Sequence, residues 1–338
     1  MGHQKVSYTI TAALIVVSCG ATFFASRYLQ QRISEKTNQT ISQIESKAER
    51  RHYKVDRLKG YRLIMPLLYT QQTEEPSTYS DMKAKLTNYI EQLQNSKKLI
   101  TASVFLKDFD EGDWMCINDN ETYYPGSLIK VPGLITYLKM AEKTPGFLDK
   151  KFIFGNPHHK IPNQTYSSQQ IQPGNEYTVR QLLKYMIAYS DNNATYLLNK
   201  NVDLVAFHKL FDDLDIPKLN NGNTQITAKN VSLFLNVLFN GSYLTKENSE
   251  FAVELLEECD FKLGMIKGLP VNTVVAHKFG EMGDSTTRQL HESGLIYVND
   301  NPYLLTIMTK GYDVKDLPEI LSTMSKMVYQ DFINKERN

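Results

Sequence analysis

The stretch MIAYSDNNATYLL, residues 186–198, sets Ser190, Asp191 and Asn192 between two runs of helical apolar spacing. Those three residue types are poor helix formers that bond their own backbone, so the stretch reads as a break between two helices. Taken alone it is also an ordinary helix start, with Ser190 capping the run through Ala194, Tyr196 and Leu197. What the break is for depends on the rest of the chain.

Upstream, YYPGSLIKVPGLITYLKMAE places Ser127 and Lys130 three residues apart at a helix start, just after the Pro125-Gly126 turn. That spacing puts both side chains on one face. A serine there gains from the positive end of the helix dipole, and its own N–H can face an oxyanion. A neighbouring lysine acts as its base once burial or a second cation lowers its pKa. Ser-x-x-Lys arises by chance about once in a chain of this size, so the pair alone carries little. Downstream, VVAHKFGEMG ends a strand-like run on Lys278-Phe279-Gly280. Specificity comes from the order: Ser-x-x-Lys at a helix start, Ser-Asp-Asn between helices, Lys-x-Gly on a strand.

The elements around these motifs follow from periodicity. A helix is expected over 79–94, then two strands, LITASVFLKDF and DWMCIN, joined by a turn-prone Asp-Glu-Gly. Helices follow from Ser127 onward and over 179–188, 194–198, 204–214, 228–239 and 249–259. Strands return with TVVAHKF, SGLIYVN and YLLTIMTK, and a helix over 317–332 closes the pattern. The fold class is α/β in the α+β sense: one antiparallel sheet built from N- and C-terminal strands, flanked by helices, with an inserted all-helical lobe. A cleft between sheet and lobe is the natural site position.

Composition narrows the function. The 338 residues are 41% hydrophobic and 22% charged, enough for a full core. Thirty-eight basic against 37 acidic residues leave a net charge of +1, so there is no electrostatic footprint for nucleic acid. Cys19, Cys116 and Cys259 lack metal-ligand spacing, and with Cys19 in an apolar segment at most one intramolecular disulfide remains. Residues 6–26 are charge-free and long enough to cross a bilayer as a helix. Lys5 precedes them and Arg27, Arg32 and Lys36 follow, so flanking charge does not fix orientation. A cleaved signal peptide and lipidation at Cys19 are the alternatives; the apolar ATFFA after Cys19 argues against lipidation. Residues 27–59 read as a polar, helix-forming stalk or linker, and the folded domain as 60–338.

In these motifs the chain resembles the serine penicillin-recognising acyltransferases, closest to class A β-lactamases. The likeness runs from about Gly60 onward and includes ASVFLKDFDEGDWMCINDNETYYPGSLIKVP, YTVRQLLKYMIAYSDNNATYLL, ITAKNVSLFLNVLFNGSYL and HESGLIYVNDNPYLLTIMTKG. The resemblance implies that Ser127 is the nucleophile of an acyl-enzyme and Lys130 takes its proton. It implies that Ser190 relays a proton to the leaving nitrogen, and that Asn192 holds the substrate amide and helps place Lys130. Asp191 is expected to organise its loop, Lys278 to supply charge, and Gly280 to complete the third motif. The N–H groups of Ser127 and Glu281 would form the oxyanion hole, with Arg288 a further carboxylate partner.

The sequence departs from the family twice. Phe279 stands where the family has Thr or Ser, with Thr286 or Thr287 as substitutes. No glutamate occurs between Asp191 and Lys246, so the family's deacylating base is missing unless Asp213 or Asp215 serves. A membrane-anchored β-lactamase-like serine hydrolase with an extracytoplasmic catalytic domain is the leading expectation, its substrate a β-lactam or a peptidoglycan peptide. A penicillin-binding D,D-peptidase that deacylates slowly is the first alternative. A catalytically silent cell-wall or partner-binding module is the second, and a stalk-driven oligomeric scaffold the third. The proposed chemistry needs neither metal nor organic cofactor.

Overall fold

The computed structural model describes residues 26–33, 36, 53–155, 165–166, 168–219, 224–283, 286–298 and 301–336. The chain divides into two compact units, Met1–His52 and Tyr53–Asn338. In the first, residues 26–33 are helical and exposed, with the Arg32 guanidinium donating to the Tyr28 hydroxyl at 3.1 Å. No helix among the described residues is long and apolar enough to cross a membrane. The expected anchor over 6–26 lies, apart from Ser26, outside them.

The second unit begins with strands β1 (Tyr53–Arg57) and β2 (Leu67–Gln72), which pair antiparallel. β1 corrects the expectation of a helical stalk up to residue 59: Tyr53, Val55 and Arg57 alternate with Lys54 and Asp56, a period of two. There follow α1 (Ser80–Asn95), β3 (Leu99–Asp108), β4 (Trp114–Ile117), a 3-10 turn over Gly126–Ile129 and α2 (Lys130–Lys143). A small hairpin pairs β5 (Lys151–Ile153) with β6 (Glu176–Thr178). The lobe continues with α3 (Val179–Ala188), α4 (Asn192–Asn199), α5 (Leu204–Asp213), α6 (Ala228–Phe239) and α7 (Lys246–Glu257). Strands β7 (Val274–Gly283), β8 (Arg288–Val298) and β9 (Asn301–Gly311) return to the sheet, and α8 (Leu317–Glu336) completes the unit.

The main sheet is antiparallel in the order β4-β3-β9-β8-β7, so the N-terminal pair and the C-terminal hairpins meet at β3 and β9. Both faces are covered, which is why β9 reads as a nearly continuous apolar run. Leu304 and Met308 pack into a core shared with the helical lobe. Tyr303, Leu305 and Ile307 point the other way, into a core with Met82, Leu86 and Ile90 of α1 and Leu321, Met324 and Val328 of α8. The same alternation governs β7: Ala276 belongs to the lobe-side core, whereas Val275 and Phe279 belong to the α8-side core. β7 is the open edge of the sheet, and it runs beside the Gly126–Ile129 turn.

Candidate active site

The three motifs converge on a buried lysine. Lys130 opens α2 and is 4% exposed, and its ammonium has three acceptors in the loop between α3 and α4. It donates to the Ser190 carbonyl at 2.6 Å, to Ser190 Oγ at 3.2 Å and to Asn192 Oδ1 at 2.7 Å. Burial, and then the nearby Lys278 charge, hold Lys130 well below the usual lysine range, against a smaller pull from Asp191. A lysine lowered in this way gives up its own proton more readily and, once neutral, can accept one from a hydroxyl.

Ser190 is the residue that interrupts the two helices. It takes φ +53°, a left-handed conformation uncommon for a residue other than glycine, and is fully buried. Glycine ends many helices in that conformation, but a glycine has no hydroxyl to offer Lys130. The turn is held from both sides. The Asp191 N–H donates to the Tyr185 carbonyl at 2.9 Å, and the Asp191 carboxylate caps α4 through Asn193 N at 2.8 Å. Its other oxygen accepts from Ile171 N at 2.8 Å. Asp191 therefore organises the loop; burial raises its pKa against these backbone donors.

Ser127 sits half-buried in the 3-10 turn rather than inside the helix proper. That turn and β7 approach each other at two glycines. A Cβ on Gly126, which has φ +52°, would lie 2.5 Å from the Glu281 carbonyl oxygen, and one on Gly280 would lie 2.4 Å from the Pro125 carbonyl oxygen. Only glycines allow this approach, which brings the backbone at Ser127 alongside that at Glu281. The segment leading into α6 is tied to the same region, since Tyr123 and Ile226 exchange backbone hydrogen bonds at 3.0 and 2.9 Å.

Lys278 lies on the lobe side of β7, fully buried; its ammonium donates to the Phe279 carbonyl at 2.9 Å and lies 4.0 Å from the Phe279 ring centre. Burial lowers it to about 8, opposed by Cys259, Asp260 and Glu292. Phe279 points to the opposite face and stacks on Phe261 at 4.5 Å. Glu281 shares that opposite face by alternation, and its carboxylate accepts from Thr165 N at 3.0 Å and Tyr166 N at 3.3 Å. Arg288 is not brought to Lys278. It pairs with Gly283, five residue steps or about 17 Å along β7 and on the other face. Thr286 and Thr287 lie beyond Gly283, outside the position of Phe279.

Neither aspartate weighed as a deacylating base faces the site. Asp213 is bound by Lys209 Nζ and by the Tyr243 hydroxyl at 2.9 Å, and Asp215 is exposed beside Lys54. Cys116 and Cys259 are both buried free thiols.

A buried cluster behind Lys278 escaped sequence reading. His277 Nδ1 lies 2.8 Å from Glu292 Oε1, both fully buried, and Glu292 Oε2 accepts from Met265 N at 2.6 Å. Burial disfavours the His277 cation, but Cys259 and Glu292 outweigh it and raise His277. His277 is visible beside the motif; Glu292 joins it only through the β7–β8 register, where Phe279 faces Glu292 and His277 faces Gly294.

Residues 83–332 match the profile of a family described as the Beta-lactamase enzyme family. A β-lactamase of Bacteroides uniformis is 25% identical over 272 residues, covering 73% of this chain and 90% of its own length. Beta-lactamase VEB-1 of Pseudomonas aeruginosa is 24% identical over 282 residues, covering 75% and 93%. Among solved structures, the TLA-1 extended-spectrum β-lactamase superposes with a TM-score of 0.65 at 16% identity, over 76% of this chain and 99% of that one. A PBP-A variant in an acyl-enzyme complex with penicillin G gives 0.62 at 17%, over 75% and 97%.

Proposed function

The chain belongs to the Beta-lactamase enzyme family, and from that premise we propose that it forms an acyl-enzyme at Ser127 with β-lactams or with D-alanyl-D-alanine ends of cell-wall peptides. The observation that carries this reading is the Lys130 ammonium, buried between Ser190 and Asn192 with a second buried cation, Lys278, close enough to depress it.

In the proposed sequence Ser127 Oγ attacks the substrate carbonyl while neutral Lys130 takes the hydroxyl proton. The oxyanion is received by the N–H groups of Ser127 and Glu281, each donor typically worth a hundredfold or more in rate. The C–N bond breaks, and Ser190 gives its hydroxyl proton to the departing nitrogen and regains one from Lys130, 3.2 Å away. Asn192 holds Lys130 and offers its amide N–H to the substrate. Lys278 supplies positive charge to the same side of β7.

Deacylation is the point at which this chain parts from a fast β-lactamase. Asp213 and Asp215 are committed elsewhere, and no glutamate lies between Asp191 and Lys246. A stable acyl-enzyme, as in a penicillin-binding peptidase, is the reading this favours. A silent binding module, which Phe279 and the missing glutamate suggest, is disfavoured because Ser127, Lys130, Ser190, Asn192 and Lys278 are all kept together, while the Phe279 ring stacks on Phe261. The charge-free residues 6–26 support a single-pass anchor, with the residues up to 52 linking it to an extracytoplasmic domain that begins at Tyr53 and faces its wall substrate.

Intact-mass spectrometry after mixing with benzylpenicillin tests this reading beside Ser127→Ala. A persistent adduct that requires Ser127 is expected. Rapid return to free protein with hydrolysed drug would replace the peptidase reading with a β-lactamase, and absence of both adduct and turnover would overturn the acyl-enzyme.

A further inference from the structure

At the far end of β7 from Glu281, on the lobe side, a groove of about 520 Å³ separates α7 from the sheet. It lies within the size range of small-molecule sites. Val253 of α7, Ala276 of β7 and Tyr297 of β8 give it an apolar floor. Its rim carries Glu250, Glu254 and Glu257, at i, i+4 and i+7 on one face of α7. Like charges at that spacing destabilise a helix, and among the described residues none of the three forms an ion pair. Their field reaches the floor: after burial, Glu250 and Glu257 are what push the Tyr297 phenol up. Lys246, four residues before Glu250, stands at one end of the groove and leaves the carboxylates in excess.

A second observation is independent of the charges. Ser249 lines the groove, is 4% exposed, and its Oγ has no hydrogen-bond partner. A buried hydroxyl without a partner leaves its loss of hydration uncompensated. Opposite it, Gly241 has φ +55°, and a Cβ there would come 4.0 Å from Ser249 Oγ. An unsatisfied buried hydroxyl thus lies in the wall of a groove whose rim carries three carboxylates.

We propose that this groove binds an organic ammonium ion on a short apolar chain, with the ammonium among Glu250, Glu254 and Glu257 and donating to Ser249 Oγ, and the chain lying over Val253, Ala276 and Tyr297. The chemistry is shared by free diamines and by a peptide's lysine-type side chain. Ala276 is two residues from Lys278, so occupancy touches the strand that carries the active-site cation.

The test is isothermal titration calorimetry of the full chain in detergent with cadaverine, N-acetyl-lysine amide and 1-pentanol, at low ionic strength. Saturable binding of at least one amine, and none of 1-pentanol, is expected; which amine binds identifies the source. Glu254→Gln with Glu257→Gln should weaken binding tenfold or more, and Ser249→Ala at least fivefold. Thermal unfolding checks each variant, and the exposed Glu254→Gln alone serves if Ser249→Ala fails to fold. No saturable heat with either amine up to 10 mM, or affinity unchanged in the variants, would overturn the proposal. Penicillin acylation at Ser127 is a separate readout, so neither result depends on the other.

Discussion

The two faces of β7 both bury ionisable groups, but they do so differently. On the α8 side His277 is matched by Glu292 at 2.8 Å, and Glu292 is matched again by Met265 N. On the lobe side Lys278 and Lys130 are two buried amines, held by carbonyl and hydroxyl oxygens and, among the described residues, with no carboxylate in direct contact. A matched pair is what a fold needs in order to tolerate burial. Burial depresses both amines, and the Lys278 charge lowers Lys130 further, which a structure has no use for and a proton acceptor does.

This contrast predicts opposite responses to removing one group. Lys130→Met should lower the rate of Ser127 acylation by about 10²–10⁴-fold, the range of a lost general base, while stability stays level or rises because a buried charge is replaced by an apolar chain. Stopped-flow acylation and thermal unfolding measure the two halves; a destabilised variant would mean that Lys130 is structural. Glu292→Ala should do the reverse in stability, lowering it by about 3–5 kcal/mol by orphaning His277 and Met265 N. Denaturant titration reads that loss, and a change below 1 kcal/mol would dissolve the distinction between the faces.

A smaller effect is expected where the faces meet the Gly126–Ile129 turn. Gly280→Ala puts a Cβ 2.4 Å from the Pro125 oxygen and 3.0 Å from Leu128 N. The strand must back away at a cost of about 1–3 kcal/mol, and acylation should fall by more than the loss of folded protein accounts for. Equal losses would remove the glycine pair from the oxyanion site.

The smallest effect is in pH. Lys278 is lowered to about 8, so its charge is present below that pH and lost above it. Lys130 is held well below the usual lysine range and is neutral only above its own pKa. Acylation should therefore gain with pH as Lys130 loses its proton, and lose with a midpoint near 8 as Lys278 loses its charge. Lys278→Arg keeps the charge at all these pH values and should abolish the alkaline limb; an unchanged limb would assign it to another group.

Much of this architecture was legible in advance because periodicity is local. Helices α3 and α6 fall on the expected residues, since their apolar faces repeat within the segment and Thr178 and Thr227 cap them. β1, β5 and β6 were missed because each is short and has much exposed surface, and β2 because its buried residues, Leu68, Tyr69, Gln71 and Gln72, fall in adjacent pairs, two of them polar, and do not alternate.

The order of Ser127, Lys130, Ser190, Asn192 and Lys278 fixed the family reading from the sequence alone, because each motif matches its own local element. Three things needed the tertiary structure. The direction of Phe279 follows from the pleat of β7 between two cores, so its ring meets Phe261 instead of the cleft. The partnership of His277 with Glu292 follows from strand register, which joins residues fifteen apart. The depressed Lys130 follows from burial and from a cation 148 positions away in the chain. Electrostatics and close packing depend on distance in space, and a linear sequence records that distance only once the chain has folded.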